Sequence, residues 1–260
     1  MKRLKKTKII ATLGPSTSSI ETIESLIKEG VDVLRINFSH STHKEAEFLI
    51  KSIRKINDSL SKNIAILADL QGPKLRIGDV VDDTNLNFGE KITIKTDKSF
   101  KGNKNKLFLN YQNLAKDINK GEKILIDDGK IILKVIDTNG KHEVTAEVLQ
   151  GGELSSNKGF NLPNTNISQP ALTDKDIDDA IFSAKHNVDW IALSYVRNGS
   201  DIKSLVKLLE NNTSHRIPII AKIEKPEGVK NIDEIMKYSS GIMVARGDLG
   251  AVSYTHLRAH

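Results

Sequence analysis

Charged and polar side chains gather at four places in this sequence, each at the end of a short apolar run. The segments are Arg35-Ile-Asn37-Phe-Ser39-His40, Asp69-Leu70-Gln-Gly-Pro-Lys74-Leu-Arg76, Lys222-Ile-Glu224 and Arg246-Gly-Asp248. Arginine and lysine bind anions such as phosphate, arginine through paired N–H donors. Carboxylates supply the hard oxygen ligands that Mg²⁺ prefers. The combination suits an anionic substrate bridged by a metal ion.

Each segment taken alone also has a purely structural interpretation. Lys222 and Glu224 alternate along one apolar run, so they point the same way and could form an ordinary ion pair. Asp248 could be the N-cap of a helix that follows a turn. The polar residues of the first segment could simply cap the next helix. The functional interpretation gains its strength because all four segments agree.

The elements that must position these segments alternate between apolar strands and amphipathic helices. Strands are predicted over residues 8–13, 31–37, 64–69, 189–194, 217–221 and 241–245, and helices over 19–30, 44–60, 173–186, 199–210 and 228–237. Continuous apolar strands separated by helices are typical of a parallel sheet covered on both faces. Six β/α units favour an α/β barrel, in which the C-terminal strand ends meet at one rim. An open doubly wound sheet remains the alternative.

Two of the helices carry detailed signals. In the second helix, Phe48, Ile53 and Ile56 are predicted to face inward. The fourth helix opens on Thr173-Asp-Lys-Asp176, which has the form of a capping box with Asp in place of the usual Glu.

The helical period disappears between about residues 78 and 161. Strand-like runs occur there at residues 91–95, 123–127, 131–136 and 143–149. Turn signals separate them at Asn103, Asp128-Gly129, Asn139-Gly140 and Gly151-Gly152. The sequence therefore predicts an all-β domain inserted after the third strand.

Composition argues against several classes of protein but does not identify the function. The net charge of +6 comes from scattered residues and has no accompanying RNA-binding motif, so a nucleic-acid partner is not expected. No apolar run approaches the ~20 residues that span a bilayer, and the apolar run after the basic start is too short for a signal peptide. We therefore expect a cytoplasmic protein without membrane contact. The absence of cysteine excludes a disulfide framework.

Several strings resemble the motifs of the pyruvate kinase family in order and spacing. They are Thr7-Lys-Ile-Ile-Ala-Thr-Leu-Gly-Pro15, Arg35-Ile-Asn-Phe-Ser-His40, Asp127-Asp-Gly129, Lys158-Gly-Phe-Asn-Leu-Pro163, Ala221-Lys-Ile-Glu224 and Met243-Val-Ala-Arg-Gly-Asp-Leu-Gly250. The resemblance covers about residues 5–250. It implies a (β/α)₈ TIM-type barrel, six of whose eight units are present, with an all-β lid domain inserted after strand three.

The resemblance also implies an activity and its partners. The reaction is transfer of a phosphoryl group from phosphoenolpyruvate to ADP, giving pyruvate and ATP in the last step of glycolysis. The full-length protein is expected to be a homotetramer. Other phosphoenolpyruvate-using barrels, such as lyase or aldolase relatives, lack a β insert of this kind.

Residue roles follow from the resemblance, position by position. Lys222, Arg35 and Arg76 are the implied catalytic residues. Arg35, Lys222, Gly247 and Asp248 are implied to bind substrate, the last two through amides that open a helix. His40, Arg76 and Lys158 are implied nucleotide contacts, and Glu224 and Asp248 implied ligands of Mg²⁺ or Mn²⁺.

A monovalent-cation site is implied as well. Asn37, Ser39, Asp69 and the Leu70 carbonyl match the family's K⁺ ligands. Members of the family that need K⁺ carry Glu at the position of Lys74, and members that do not need K⁺ carry Lys. Lys74 therefore makes a K⁺ requirement doubtful in this chain.

The resemblance divides the chain into barrel residues 1–75, a β lid at 76–163, further barrel residues at 164–250 and a tail at 251–260. Nothing in the tail resembles the family, and a cloning or assembly artefact is the expected origin. The chain is expected to stop before the barrel closes and so to be inactive as it stands. The alternative function is a non-catalytic truncated homologue of the same family.

Overall fold

The computed structural model of this chain describes residues 6–252, so residues 253–260 of the predicted non-family tail lie outside the described part. The chain forms two compact units. Within the described residues, unit 1 comprises 6–72, 171–223 and 231–243, and unit 2 comprises 73–170, 224–230 and 244–252. None of the helices described between residues 6 and 252 has the length and hydropathy needed to cross a bilayer.

The first part of the chain alternates strand and helix. Its elements are β1 Ile10–Leu13, α1 Ile20–Glu29, β2 Val33–Asn37, α2 His43–Leu60 and β3 Ala65–Asp69. These bounds agree with the predicted elements to within about two residues.

The segment between residues 73 and 170 is built mostly from short strands. They are β4 Asn85–Leu86, β5 Lys91–Lys95, β6 Lys106–Phe108, α3 Leu114–Asp117, β7 Lys123–Ile126, β8 Ile131–Thr138, β9 Glu143–Gln150, β10 Gly152–Glu153 and β11 Phe160–Asn161, with α3 as the one short helix among them. The order of the larger sheet is β11-β7-β8-β9-β5-β6, and β10 pairs with β4. Alternate residues along β5, β8 and β9 are buried, as expected for strands with one face on a core.

Helix and strand alternate again in the last part of the chain. The elements are α4 Asp174–Lys185, β12 Trp190–Leu193, α5 Gly199–Glu210, β13 Ile219–Ile223, α6 Pro226–Lys230, α7 Ile232–Tyr238, β14 Gly241–Val244 and α8 Arg246–Val252. The strands of this part join those of the first in one six-stranded sheet of order β1-β2-β3-β12-β13-β14. Strands β1, β2, β3, β12 and β13 pair in parallel, in that order. The predicted α/β class is therefore confirmed.

One face of this sheet is packed against the helices. Leu34 and Ile36 of β2 and Ile66 and Ala68 of β3 are buried in the same core as Ile53 of α2. Because successive side chains on a strand point to opposite faces, the residues between them lie on the other face. That second face carries Arg35, Asn37 and Asp69, so the chemistry-bearing side chains are set apart from the helix-packed core.

Helix starts follow local sequence closely. Thr42 and Thr173 each form a complete capping box, with Glu45 and Asp176 as the respective partners. The capping box predicted at Thr173 is therefore confirmed, with Asp176 in the role usually held by Glu.

Three sequence predictions about helices and strands are corrected by the structure. Phe48 is 52% exposed, because Leu49, Ile53 and Ile56 occupy the inward face of α2 and Phe48 lies beside it. Strand β13 begins at Ile219, two residues later than predicted, since Pro218 has no N–H to offer the ladder.

The third correction concerns the helix predicted over residues 228–237. The chain instead forms two short helices, α6 and α7. Asn231 separates them with a backbone φ of −101° and ψ of 19°, and its side chain donates to the Arg197 carbonyl at 2.8 Å.

The chain leaves unit 1 at Gly72 and returns to it at Ala171. Gly72 is buried with a φ of 70°, and a Cβ there would lie 2.8 Å from the Cβ of Ser194, so a side chain does not fit. Its N–H donates to Asp176 Oδ1 at 2.9 Å, and Asp176 is also the capping partner of Thr173. One buried carboxylate therefore joins the end of β3 to the start of α4.

The Gly151-Gly152 pair, predicted as a hairpin turn, instead lies where the backbone approaches β4 closely. Gly152 begins β10, and a Cβ on Gly151 would lie 1.9 Å from the Leu86 carbonyl oxygen of β4. Only glycine allows the two backbones to approach this closely.

We predict that Gly151→Ala destabilises unit 2 by ~1–3 kcal/mol, because the added methyl group forces β4 and β10 apart. Thermal unfolding measures the effect. Gly159→Ala is the matched control in the same unit, since its Cβ would meet only the Leu75 carbonyl at 3.9 Å. Equal unfolding temperatures for Gly151→Ala and the control would contradict the prediction.

Candidate active site

The ends of neighbouring strands place polar residues side by side in unit 1. Asn37 at the end of β2 is in register with Asp69 at the end of β3, and Asp69 is in register with Ala192 of β12. Lys222 lies in β13, which pairs with β12. The parallel sheet therefore brings three of the predicted segments to one edge.

The centre of this edge is a buried carboxylate between two cations. Asp69 is 1% exposed, and Arg35 Nε donates to its Oδ2 at 2.6 Å. A second nitrogen of the same guanidinium also contacts Oδ2. Lys222 Nζ lies 3.1 Å from Oδ1. A carboxylate this deeply buried is tolerated as an anion only when it is paired, and removing one partner of such a pair typically costs ~3–5 kcal/mol.

Lys222 has a second partner, Ser194, which directly follows β12. The ammonium donates to Ser194 Oγ at 2.8 Å, and Ser194 Oγ donates to the Leu70 carbonyl at 2.6 Å. Thr12 of β1 plays a similar part for Arg35, whose Nη1 donates to Thr12 Oγ1 at 2.8 Å. Sequence reasoning missed both hydroxyls, although each lies at or next to a strand end and that position is the signal that identified the others.

The four residues predicted to hold a monovalent cation lie together in unit 1. Asn37 Oδ1 accepts the Ser39 N–H at 3.0 Å, and the Asp69 carbonyl accepts the Phe38 N–H at 3.0 Å. Among the described residues, Asp69 Oδ1 has no hydrogen-bond partner, since the Lys222 contact is an ion pair without hydrogen-bond geometry. A buried oxygen with unused acceptor capacity fits a cation by its chemistry, but Lys222 already supplies positive charge beside it.

Unit 2 brings two further predicted residues together. Arg76 pairs with Gly159 in an antiparallel bridge, and its guanidinium donates to the Asn157 carbonyl. The residues beside this bridge continue the contact, because the Ile77 N–H donates to the Lys158 carbonyl at 2.9 Å. Arg76 and Lys158 are therefore held on adjacent backbone segments.

Asp127 anchors the side chain of Lys158. The Lys158 ammonium lies 3.1 Å from Asp127 Oδ1, and Lys130 Nζ donates to Oδ2 at 2.8 Å. The Lys130 hydrogen bond is the main cause that holds the pKa of the Asp127 carboxyl below its usual value; partial burial opposes it and Lys158 adds to it. Asp127 and Asp128 both have positive φ values, 50° and 56°, in the tight turn between β7 and β8.

Three predicted residues lie in the remaining segments of unit 2. Glu224, one residue after β13, is 3% exposed, and Asp248 is half-buried in the first turn of α8. Gly247 is exposed, and apart from its chain neighbours and the backbone of its own helix no heavy atom lies within 4 Å of a Cβ built on it. Two carboxylates, one of them deeply buried, are a donor set that fits Mg²⁺. Within residues 6–252 no group of three or more His, Cys, Asp or Glu side chains is gathered as a metal site.

His40 is exposed on a cleft of about 930 Å³ in unit 1. Pro15, Phe48 and Leu49 give the cleft an apolar lining, and Thr42 and Lys44 give it a polar one. Exposed Phe48, which the helical pattern placed in the core, therefore lies on this cleft.

Two structural alternatives for the predicted segments are wrong. Thr42 rather than Asn37, Ser39 or His40 caps α2. Helix α8 begins at Arg246, so Asp248 lies inside its first turn and is not its N-cap.

Comparison with known proteins gives one consistent result. The family model described as pyruvate kinase, barrel domain, matches residues 4–255. The chain is 43% identical over 248 residues to a pyruvate kinase of Staphylococcus haemolyticus, covering 95% of this chain and 42% of that protein. It is 43% identical over 247 residues to a pyruvate kinase of Corynebacterium efficiens, covering 95% of this chain and 52% of the relative. The chain therefore spans about half the length of the curated relatives it matches.

The contact between Lys130 and Asp127 should affect how the stability of the protein depends on pH. Lys130→Met should raise the pKa of the Asp127 carboxyl toward its usual value. A carboxyl whose pKa is depressed on folding adds stability above its unfolded pKa, and this contribution is lost as pH falls through the folded pKa. The loss of stability on acidification should therefore be shallower in Lys130→Met than in the unchanged protein.

Carbon NMR of the aspartate carboxyls measures this pKa directly, and Lys120→Met, which changes another exposed lysine of unit 2, is the control. An unchanged Asp127 titration in Lys130→Met would refute the assignment.

Proposed function

This chain belongs to the pyruvate kinase family, and from that premise we propose that the protein, at the length of its relatives, transfers the phosphoryl group of phosphoenolpyruvate to ADP. The products are pyruvate and ATP, as in the last step of glycolysis. The observation that carries the proposal is the edge of unit 1 where Arg35 and Lys222 flank the buried Asp69. That edge offers two fixed cations to a phosphorylated substrate.

Lys222 is proposed as the main catalytic residue. Its side chain is 11% exposed and its ammonium is oriented by Ser194, so it needs little reorganisation when negative charge develops on the transferring phosphoryl group and the enolate oxygen. Preorganised charge in a largely buried site stabilises a transition state more than mobile charge in water does. Arg35 is proposed to grip the phosphate, since Asp69 and Thr12 already hold its guanidinium.

Glu224 and Asp248 are proposed to hold Mg²⁺ or Mn²⁺. Members of the family generally use Mg²⁺ and K⁺. When bound, the divalent ion would neutralise charge on the phosphoryl oxygens. The amides of Gly247 and Asp248 in the first turn of α8 are proposed to bind the substrate carboxylate, because the positive end of the helix dipole favours an anion at that position.

His40, Arg76 and Lys158 are proposed nucleotide contacts. The cleft beside His40 combines apolar side chains for a base with polar ones for a ribose, which supports this role. Arg76 and Lys158 offer cations from adjacent segments of unit 2, and the ion pair with Asp127 restricts the position of the Lys158 ammonium.

The finer architecture is part of the same proposal. The six-stranded parallel sheet is proposed to be six of the eight units of a TIM-type barrel, formed by residues 1–75 and 164–250. Residues 76–163 are proposed as the inserted β domain. A cytoplasmic homotetramer is the proposed assembly of the protein at its relatives' length.

In a protein as long as the pyruvate kinase relatives, Lys222→Ala should lower kcat by ~10³ or more, because it removes a charge that stabilises the transition state. A lactate dehydrogenase-coupled assay of pyruvate formation measures the rate. Lys230→Ala, which removes an exposed lysine at the end of α6, is the control for loss of a lysine. The substitution also removes one of the two cations paired with Asp69, which could destabilise the fold. Thermal unfolding therefore checks that the variant is folded. Near-normal turnover in a folded Lys222→Ala would sink the assignment.

Lys74 is proposed to make K⁺ dispensable. An ammonium two residues before Arg76 supplies positive charge that K⁺ would otherwise provide, and like charges a few ångströms apart repel by ~1–4 kcal/mol. We predict full activity without K⁺ in the unchanged enzyme and K⁺ dependence in Lys74→Glu. The rate is measured at fixed ionic strength with tetramethylammonium in place of K⁺. If K⁺ speeds the unchanged enzyme more than ~10-fold, a barrier change of ~1.4 kcal/mol, the role of Lys74 is wrong.

A further inference from the structure

The peptide group between Phe38 and Ser39 is held at both of its polar ends. Its carbonyl accepts a hydrogen bond from Lys175 Nζ at 2.8 Å, and its N–H donates to Asn37 Oδ1 at 3.0 Å. The carbonyl and the N–H of one peptide point in opposite directions because the group is planar. The orientation set by Lys175 therefore also sets the direction in which the Ser39 N–H meets the Asn37 carboxamide.

Lys175 reaches this peptide from the first turn of α4, 137 residues away along the chain. Its ammonium is held by Asp179 Oδ2 at 2.6 Å, one turn further along the same helix. Asp179 is 2% exposed and binds His43 Nε2 through its other oxygen at 2.8 Å. Lys175 is thus one member of a chain of contacts that runs from α4 to both ends of the turn before α2.

Aromatic packing holds the same chain of contacts in place. The His43 ring stacks on Phe182 of α4 at a centroid distance of 4.3 Å, and Phe182 packs edge-on against Phe38 at 6.0 Å. Phe38 itself is 1% exposed. With the ring of Phe38 anchored, the Lys175 hydrogen bond opposes rotation of the Phe38–Ser39 peptide group.

We propose that Lys175 is a positioning residue for the catalytic edge, which acts by locking the Phe38–Ser39 peptide and, through it, the Asn37 carboxamide. Its role in turnover rests on the proposed function, whereas its effect on the peptide does not. Asn37 is in register with Asp69, so a displaced carboxamide disturbs the edge that carries Arg35 and Lys222. Lys175 is not among the residues proposed above to bind substrate.

The first test follows hydrogen–deuterium exchange of the Ser39 amide in the full-length protein, resolved by fragmentation in the mass spectrometer. Lys175→Met should speed exchange of this amide by ~10-fold or more, because the peptide can then rotate and expose its N–H. Lys175→Arg keeps a cationic donor and should exchange like the unchanged protein. Lys185→Met, on the exposed end of the same helix, is the matched control. This measurement needs no enzymatic activity.

The second test is kinetic and separates positioning from general stability. Lys175→Met should lower kcat by ~10-fold with unchanged KM values, and Lys175→Arg should restore the rate. If Lys175 acts through Asn37, then Lys175→Met should cause no further loss in an Asn37→Ala background. A merely structural lysine would give additive losses.

The two tests can refute the positioning role of Lys175 without refuting the proposed pyruvate kinase activity, and the reverse. Unchanged Ser39 exchange in folded Lys175→Met, or additive losses in the double variant, would overturn the positioning role. Absence of any pyruvate kinase turnover in the unchanged full-length protein would overturn the proposed function and leave the exchange test intact. Should Lys175→Met not fold, Lys175→Gln, whose shorter side chain does not span the distance, takes its place with the same expectations.

Discussion

The buried carboxylate of Asp69 is the constraint on which the candidate active site in unit 1 depends. A carboxylate that is 1% exposed is stable as an anion only beside positive charge, and here Arg35 and Lys222 supply it. The three residues belong to strands that are distant in sequence and meet only when the sheet is in register. Formation of the sheet and assembly of the site are therefore one event, and a slip of one residue in any of the three strands would send its charge into the helix-packed core.

Helix α4 braces this edge from outside the sheet. Lys175 contacts the peptide after Asn37, Asp176 accepts the N–H of Gly72, and Asp179 binds His43. Asp176 and Asp179 each make a further contact at α4. Asp176 completes the capping box with Thr173, and Asp179 forms an ion pair with Lys175. The cost of removing a carboxylate from water offsets much of its attraction to a buried partner. We therefore infer that Asp176 and Asp179 contribute more to fixing one arrangement of α4 than to the free energy of unfolding.

The sequence predicted elements and strand-end residues well, because both are encoded locally. The capping box at Thr173 and the polar ends of β2 and β3 needed only short patterns. Predictions failed where a side chain's surroundings decide the outcome. Phe48 fits an apolar period yet lies on a cleft, and Asn231 ends a helix with the help of the distant Arg197 carbonyl. Ser194 and Lys175 act through partners more than a hundred residues away, which no local spacing reveals.

The hydrogen bond from Gly72 to Asp176 has a consequence for the history of the gene. It brings together the two points at which the 73–170 segment leaves unit 1 and returns to it. Strands β3 and β12, which flank the segment in sequence, pair directly with each other. A chain segment whose ends are neighbours can be gained or exchanged without disturbing the sheet that receives it. The β-rich segment can therefore change in length and sequence without disturbing the sheet, whereas the strands on either side are constrained by their pairing.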